Sequence, residues 1–322
     1  MYDWPEVQWA NDKLWTDIAE RLGTSGIVAP NELWRTENAD ELWGHPDLFI
    51  VETCGHLVVH ELQGRAEVLG AFDHAVDGCR PGDYRSVLVC RADEEGDTLE
   101  GFRGRVAAVN QTNSHSGHGA FMTTVVPLAV NGSFFADVEI TGSHRASMRA
   151  VANGSADLAC IDEVSWRLGL DHESAVDNLR IIAWTDPMPA PPLVTSWANV
   201  GWRDAFNTVI AEAVAFSDLS VRESLHLYGY RPRDTADYGS IREHLIEAES
   251  SGYPDLACVR GAQLEPLTAK SMIWTPARFS VTLLVRNKLP VQSAFFGFGT
   301  GQFADGPRAR QNPWTPCEPS GC

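Results

Sequence analysis

The segment that most restricts how this chain can fold is residues 104–121, GRVAAVNQTNSHSGHGAF, where an apolar strand pattern runs through a turn of small polar residues into a helix start. Ser114, His115 and Ser116 crowd that turn, with Gly117 behind them. A turn of this kind leaves backbone N–H groups at the helix start without intrahelical partners, pointing past the end of the strand. Two readings follow from the residues alone. The turn is an anion cradle, or it is ordinary helix capping, since Ser and Asn are common N-caps with no ligand present.

The surrounding pattern repeats strand and helix. Residues 11–22 place Leu14, Trp15, Ile18 and Leu22 at helical spacing. A short helical pattern follows residue 31, then a buried strand over 48–51 that ends at Thr53-Cys54-Gly55. Residues 57–62 and 66–72 read as two more strands, and Ser86 opens another over VLVCR. The helix after the opening turn is expected to run from about 116 to 128. Beyond it come a strand over 135–140, a helix capped by Ser143 and ended by Gly154, and a strand over LACI. LRIIAW is a further strand, and prolines 187, 189, 191 and 192 stiffen a crossing between domains. Three helices follow at about 202–215, 218–227 and 238–250. The alternation predicts an α/β fold built on a parallel sheet, with ligand groups at its carboxyl edges.

Charge and cysteines remove several classes of function. A net charge of −18 over 322 residues argues against nucleic acid or an anionic membrane as partner, so an anionic ligand would have to be held by local donors. The seven cysteines, at 54, 79, 90, 160, 258, 317 and 322, form no CxxC pair and no zinc-type spacing. A bridge between Cys54 and Cys79 and two free thiols are both open. His115, His118 and His144 lack carboxylate or cysteine partners at metal-ligand spacing, so no metal and no cofactor is expected. The N-terminus has no basic and apolar leader, and no run reaches the roughly 18 apolar residues a membrane span requires. As written, the chain is expected to be soluble and cytoplasmic. Residues 259–322 carry seven basic residues against three acidic, whereas the preceding residues are strongly acidic. This tail reads as an appended, weakly ordered extension whose one strand candidate is SVTLLVR.

Several stretches together resemble the phosphate, phosphite and phosphonate substrate-binding proteins of ABC importers, which have the two-lobed type II periplasmic-binding-protein fold. They are MYDWPE, DLFIVETCG, the DGC…YRS loop, GRVAAVNQTNSHSG, GSHRASMRAVANGSADLACID, PLVTS and GYPDL, spread in the family's order over about residues 1–257. The resemblance implies one lobe from residues 1–86 and 189–257, a second from 87–188, and 258–322 outside both. It implies a monomer that closes over a small oxyanion, phosphate or an organophosphonate, for a transporter permease or as a sensor, and no enzymatic activity. Carried onto this chain, the anion-holding helix start matches Ser114, His115 and Ser116, the aromatic hydroxyl Tyr84, and the histidine of the GSH turn His144. Tyr2 and Thr53 face the cleft from the first lobe, and Asp162 occupies a strand end where it can take a ligand amine or simply start a helix.

The family commonly has Ser-Thr-Ser where this chain has Ser-His-Ser. It also has a strand before the MYD motif and, in exported members, a signal peptide, so a late-assigned start would make the protein periplasmic. Two other readings stand beside the first: an enzyme on the same fold, like the pyrimidine-forming proteins of thiamine synthesis, whose cysteine motif is not found here, and a truncated, non-functional relic.

Overall fold

The computed structural model describes residues 1–36, 42, 45, 48–130, 132–250, 256 and 281–284. The first leg of the chain holds α1 (Gln8–Thr24), β1 (Trp34–Thr36), β2 (Val51–Glu52), α2 (Gly55–His60), β3 (Ala66–Asp73) and β4 (Asp83–Tyr84). In α1 the residues Ala10, Leu14, Trp15, Ile18 and Leu22 are buried, the stripe that three- and four-residue spacing lays along one helix face. The run at 57–62, expected as a strand, falls instead in α2 and the turn after it. Leu57, Val58 and Val59 are uniformly apolar, and a short apolar run does not tell a buried strand from a buried helix. Packing decides it, because all three enter a core shared with Tyr238 and Ile241. The helical pattern expected after residue 31 is likewise replaced by β1 in its described part.

The middle leg supplies β5 (Ser86–Arg91), β6 (Val106–Val109), α3 (Ala120–Val125), β7 (Asp137–Ile140), α4 (His144–Asn153), β8 (Leu158–Asp162), α5 (Glu163–His172) and β9 (Leu179–Trp184). The return leg adds β10 (Met188–Pro189), β11 (Pro192–Ser196), α6 (Arg203–Phe216), α7 (Leu219–Ser224), β12 (Gly229–Pro232) and α8 (Gly239–Ser250). Within the tail, β13 (Val281–Leu284) lies inside SVTLLVR and pairs antiparallel with β1. The expectation of weak order for the rest of 258–322 falls outside the described residues.

Two larger sheets result. One has the order β12-β3-β11-β2, with every pairing antiparallel. The other has the order β7-β6-β8-β5-β9, where β6 runs parallel to β7 and β8 while β5 is antiparallel to β8 and β9. The expected parallel sheet is therefore confined to three strands. Strands β5 and β9 bring the chain into and out of this sheet without a crossover helix, and antiparallel neighbours need none. Between the sheets, β4 and β10 form a two-residue antiparallel ribbon with Met188 opposite Tyr84. The Ser86 N–H donates to Thr185 Oγ1 at 2.9 Å, and the Ala190 N–H to the Gly82 carbonyl at 3.0 Å, which extend the ribbon at both ends.

Three apolar clusters hold these elements. One packs α1, α6 and α7 on the first sheet, a second packs α4 on the second sheet, and a third runs under α2, α3 and α8 and reaches strands of both. Each fully buried aliphatic or aromatic side chain there contributes about 1.5–3 kcal/mol. Cys54, Cys79, Cys90 and Cys160 are free thiols, so the open question at 54 and 79 resolves against a bridge. Among the described residues no helix is long and apolar enough to cross a membrane.

Candidate functional site

Strand β6 ends at Val109, and the chain passes through Asn110 into a single π-helical turn, His115–Gly119, ahead of α3. The Gly119 N–H reaches back five residues to the Ser114 carbonyl at 3.1 Å. Isolated π turns of this kind concentrate at functional positions. Ser114 caps the turn, its Oγ accepting from the Gly117 N–H at 3.1 Å and from Asn110 Nδ2 at 3.0 Å. The His115 N–H donates to Cys54 Sγ at 3.1 Å, and the Ser116 carbonyl accepts from Ser86 Oγ at 3.0 Å and Cys160 Sγ at 3.1 Å. Two of the N–H groups that the sequence leaves orphaned thus have protein partners. The capping reading is realised at Ser114, and the Ser116 hydroxyl remains to face the site.

Opposite this turn, Ser143 caps α4 by accepting from the Ala146 N–H at 3.1 Å, which fixes buried His144 in the first helical turn. Its Nε2 stands 3.0 Å from Ser116 Oγ, 3.1 Å from Asp162 Oδ2 and 3.4 Å from Asn110 Nδ2. Asp162 is the last residue of β8 and is fully buried. Its Oδ1 accepts from the Ser165 N–H at 2.8 Å and so starts α5, while Oδ2 faces the imidazole. Of the two roles weighed for Asp162, the helix start is realised through Oδ1, and Oδ2 is left beside His144. Tyr84 from β4 bears on Ser116, Cys54 and Asp162, and Tyr2 bears on Asp162 and Glu52. Tyr2 Oη, Thr53 Oγ1, Asn110 Oδ1 and Asp162 Oδ2 are buried atoms that complete no hydrogen bond; Oδ2 is close to His144 but off the line of one.

The electrostatics keep this cluster as a set of neutral donors around one carboxylate. Burial, reinforced by Asp162 and Glu52, raises the Tyr2 hydroxyl well above its ordinary pKa. Burial, with Cys54 and Asp162, does the same to Tyr84, so both retain their protons. For His144, burial lowers the pKa while Asp162 opposes the shift. Burial pushes His115 down to about 3, with His56 and His244 adding to the effect. The His115 ring therefore stands near His56 of α2 and His244 of α8.

Asn110 escapes the sequence reading, and Gly117, noted there only as part of the turn, gains its reason here. Asn110 links Ser114 to His144, and its only sequence signal is that it opens the NQTNS run at the strand's end. Gly117 is required by close approach: an added Cβ would lie 1.9 Å from Asn110 Oδ1 and 3.0 Å from His144 Cε1. Ser116, His144 and Asp162 have the residue types of a nucleophilic relay but not its geometry, because hydroxyl and carboxylate both face Nε2, whereas a relay places them on opposite ring nitrogens. Among the described residues, no three His, Cys, Asp or Glu side chains are placed to hold a metal ion.

Thr53, Asn110 and Asp162 all sit at or just beyond carboxyl ends of strands from two sheets joined by a ribbon, the arrangement of a two-lobed α/β protein. Residues 11–238 match the periplasmic substrate-binding proteins of phosphonate ABC transporters, and the chain belongs to that family. Among solved structures, PhnD1 from Prochlorococcus marinus in complex with methylphosphonate is 16% identical, with a TM-score of 0.59 over 75% of this chain and 94% of that one. A binding protein component of an ABC phosphonate transporter from Pseudomonas aeruginosa is 17% identical, with a TM-score of 0.56 over 74% and 82%. XAC2383 from Xanthomonas citri, bound to ATP, is 17% identical, with a TM-score of 0.55 over 76% and 95%. These likenesses are of fold. No curated protein matches the sequence.

Proposed function

We propose that this chain is a solute-binding protein whose lobes, residues 1–86 with 189–257 and residues 87–188, close over a phosphonate or related oxyanion and deliver it to a transporter permease. The observation that carries the reading is the meeting of Ser116, His144, Tyr84 and Tyr2, all buried, around one strand-end carboxylate between the two sheets. Hydroxyls and a neutral imidazole suit a ligand that offers three oxygens as acceptors, and hydrogen bonds to a charged group contribute about 1.5–3 kcal/mol each. Four of them leave a micromolar dissociation constant, about 8 kcal/mol, after the costs of association. Asp162 limits the ligand's charge and accepts from any proton the ligand or His144 carries.

The Ser116→Ala variant tests this by titration calorimetry with methylphosphonate, phosphite and phosphate. Loss of one charge-assisted bond should weaken binding by about 1–3 kcal/mol, roughly 5- to 150-fold, with the melting temperature nearly unchanged. No heat from the unaltered protein with any of the three anions would reject the ligand class.

A further inference from the structure

Helix α5 starts at the cleft with Asp162 as its cap and carries Glu163, Arg167 and Asp171 at four-residue intervals along one face. Glu163 accepts from Arg85 Nε at 3.0 Å and from Arg167 at 3.0 Å. Arg167 then crosses to the other lobe, donating to the His74 carbonyl at 2.8 Å and the Ala75 carbonyl at 3.3 Å. Asp171 crosses as well, its Oδ2 lying 2.8 Å from His226 Nε2.

The two residues so gripped, Ala75 and His226, are the non-glycine residues with left-handed backbone among those described, each with φ of 47°. They are adjacent in space, since His74 Nδ1 lies 2.9 Å from the His226 carbonyl and the Tyr228 N–H donates to the Asp73 carbonyl at 2.8 Å. Backbone held in this region persists only where its surroundings over-determine it, and such sites collect at clamps and switches. Beneath the polar grip, Val164 and Leu168 of α5 are fully buried in the same cluster as Tyr2, Phe72 and Leu227 of the other lobe. The polar contacts lie at the rim, Arg167 being 20% and Asp171 47% exposed, so water can replace them when the lobes part.

We propose that Arg167 and Asp171 are positioning residues for ligand binding: they latch α5 of one lobe onto the strained Ala75 and His226 of the other and so set how much of the protein stands closed. The inference rests on the two-lobed binding reading. One rigid helix joins the ligand cluster to the latch, because Asp162 bears on Tyr2 of the other lobe at its start and Asp171 faces His226 of that lobe at its end. A lobe movement that changes the first distance changes the second. Apparent affinity scales with the fraction of molecules in the binding-competent state, so weakening the latch weakens binding without touching a ligand contact.

The test uses the full chain with Arg167→Met, Asp171→Ala and Asp171→Asn. Dissociation of methylphosphonate is followed by stopped flow, and the radius of gyration without ligand by small-angle scattering. Arg167→Met and Asp171→Ala should bind about tenfold more weakly through faster dissociation, with unchanged stoichiometry, and should be more expanded without ligand. Asp171→Asn keeps an acceptor for His226 and should recover most of the loss, which a merely structural role would not produce. Wild-type dissociation and scattering in both disruptive variants would overturn the latch. If the unaltered protein binds no phosphonate, the ligand assignment falls and scattering alone decides the latch, expansion supporting it and an unchanged radius rejecting it. Should Arg167→Met fail to fold, the Asp171 pair decides in the same way.

Discussion

Replacing Gly117 with alanine puts the candidate site under the most direct strain. The added Cβ falls 1.9 Å from Asn110 Oδ1 and 3.0 Å from His144 Cε1. The backbone there is not in the left-handed region, so alanine is conformationally permitted and the cost is one of contact. Forcing an extra carbon into a well-packed site costs about 1–3 kcal/mol. Moving Asn110 aside also breaks its 3.0 Å bond to Ser114 Oγ, worth about 1 kcal/mol. Against this, alanine reduces the freedom of the unfolded chain by about 0.4–1 kcal/mol. The balance is a loss of about 2 kcal/mol, which for a chain of this size lowers the melting temperature by about 3 °C. Methylphosphonate binding should fall at least tenfold, since Ser114, Asn110 and His144 are displaced together. The Asn110→Gly, Gly117→Ala double variant gives the new carbon room and should recover stability while binding stays weak, a non-additivity expected of residues in contact. A Gly117→Ala protein with unaltered melting and affinity would refute the packing argument, and recovered binding in the double variant would remove Asn110 from the site.

Further outcomes follow from the same contacts. Burial lowers His115 to about 3 and His56 to about 4, both below the 6.5 of a free imidazole, so the unfolded chain takes up protons that the folded one refuses. Stability is therefore complete above about pH 6.5 and falls as the pH drops toward 4, by on the order of 3 kcal/mol from His115. His115→Gln should flatten the acid limb of a denaturation series, and an unchanged slope would contradict the burial of its ring. The same shift leaves His115 uncharged from pH 5.5 to 8, so binding of a ligand of constant charge should not titrate with it. Burial raises Cys79 to about 11, and Cys54 is raised as well, so the native protein should react with a thiol reagent at pH 8 far more slowly than the unfolded protein. Rapid stoichiometric labelling of the four described thiols would contradict their placement.

How far the site could be read ahead of the structure varied by residue, for physical reasons. Ser143 as a cap and Gly154 as a stop were legible because caps and left-handed turns depend on the few residues beside them; Gly154 takes φ of 82°. The strand-turn-helix succession at residues 104–121 is legible because its small polar residues are local too, although the π turn that it adopts is not. The run at 57–62 reads as a strand but folds as a helix, since uniformly apolar residues carry no period and only the packing of α2 against α8 selects between the two. Asn110 was passed over because an asparagine after a strand looks like any other turn residue until His144 arrives from 34 positions away.

The sequence by itself determined most of the elements, the family pattern and the residue types available to hold an anion, because propensity, capping and periodicity act over a few residues. Tertiary structure alone decided which of those residues meet. It brought Ser116 and Asp162 within about 3 Å of His144 Nε2, set the His115 ring near histidines of two other helices, and turned an expected parallel sheet into a mixed one. Each of these depends on contacts between segments far apart in the chain. Their strength comes from burial, which no local stretch possesses until the whole chain has folded around it.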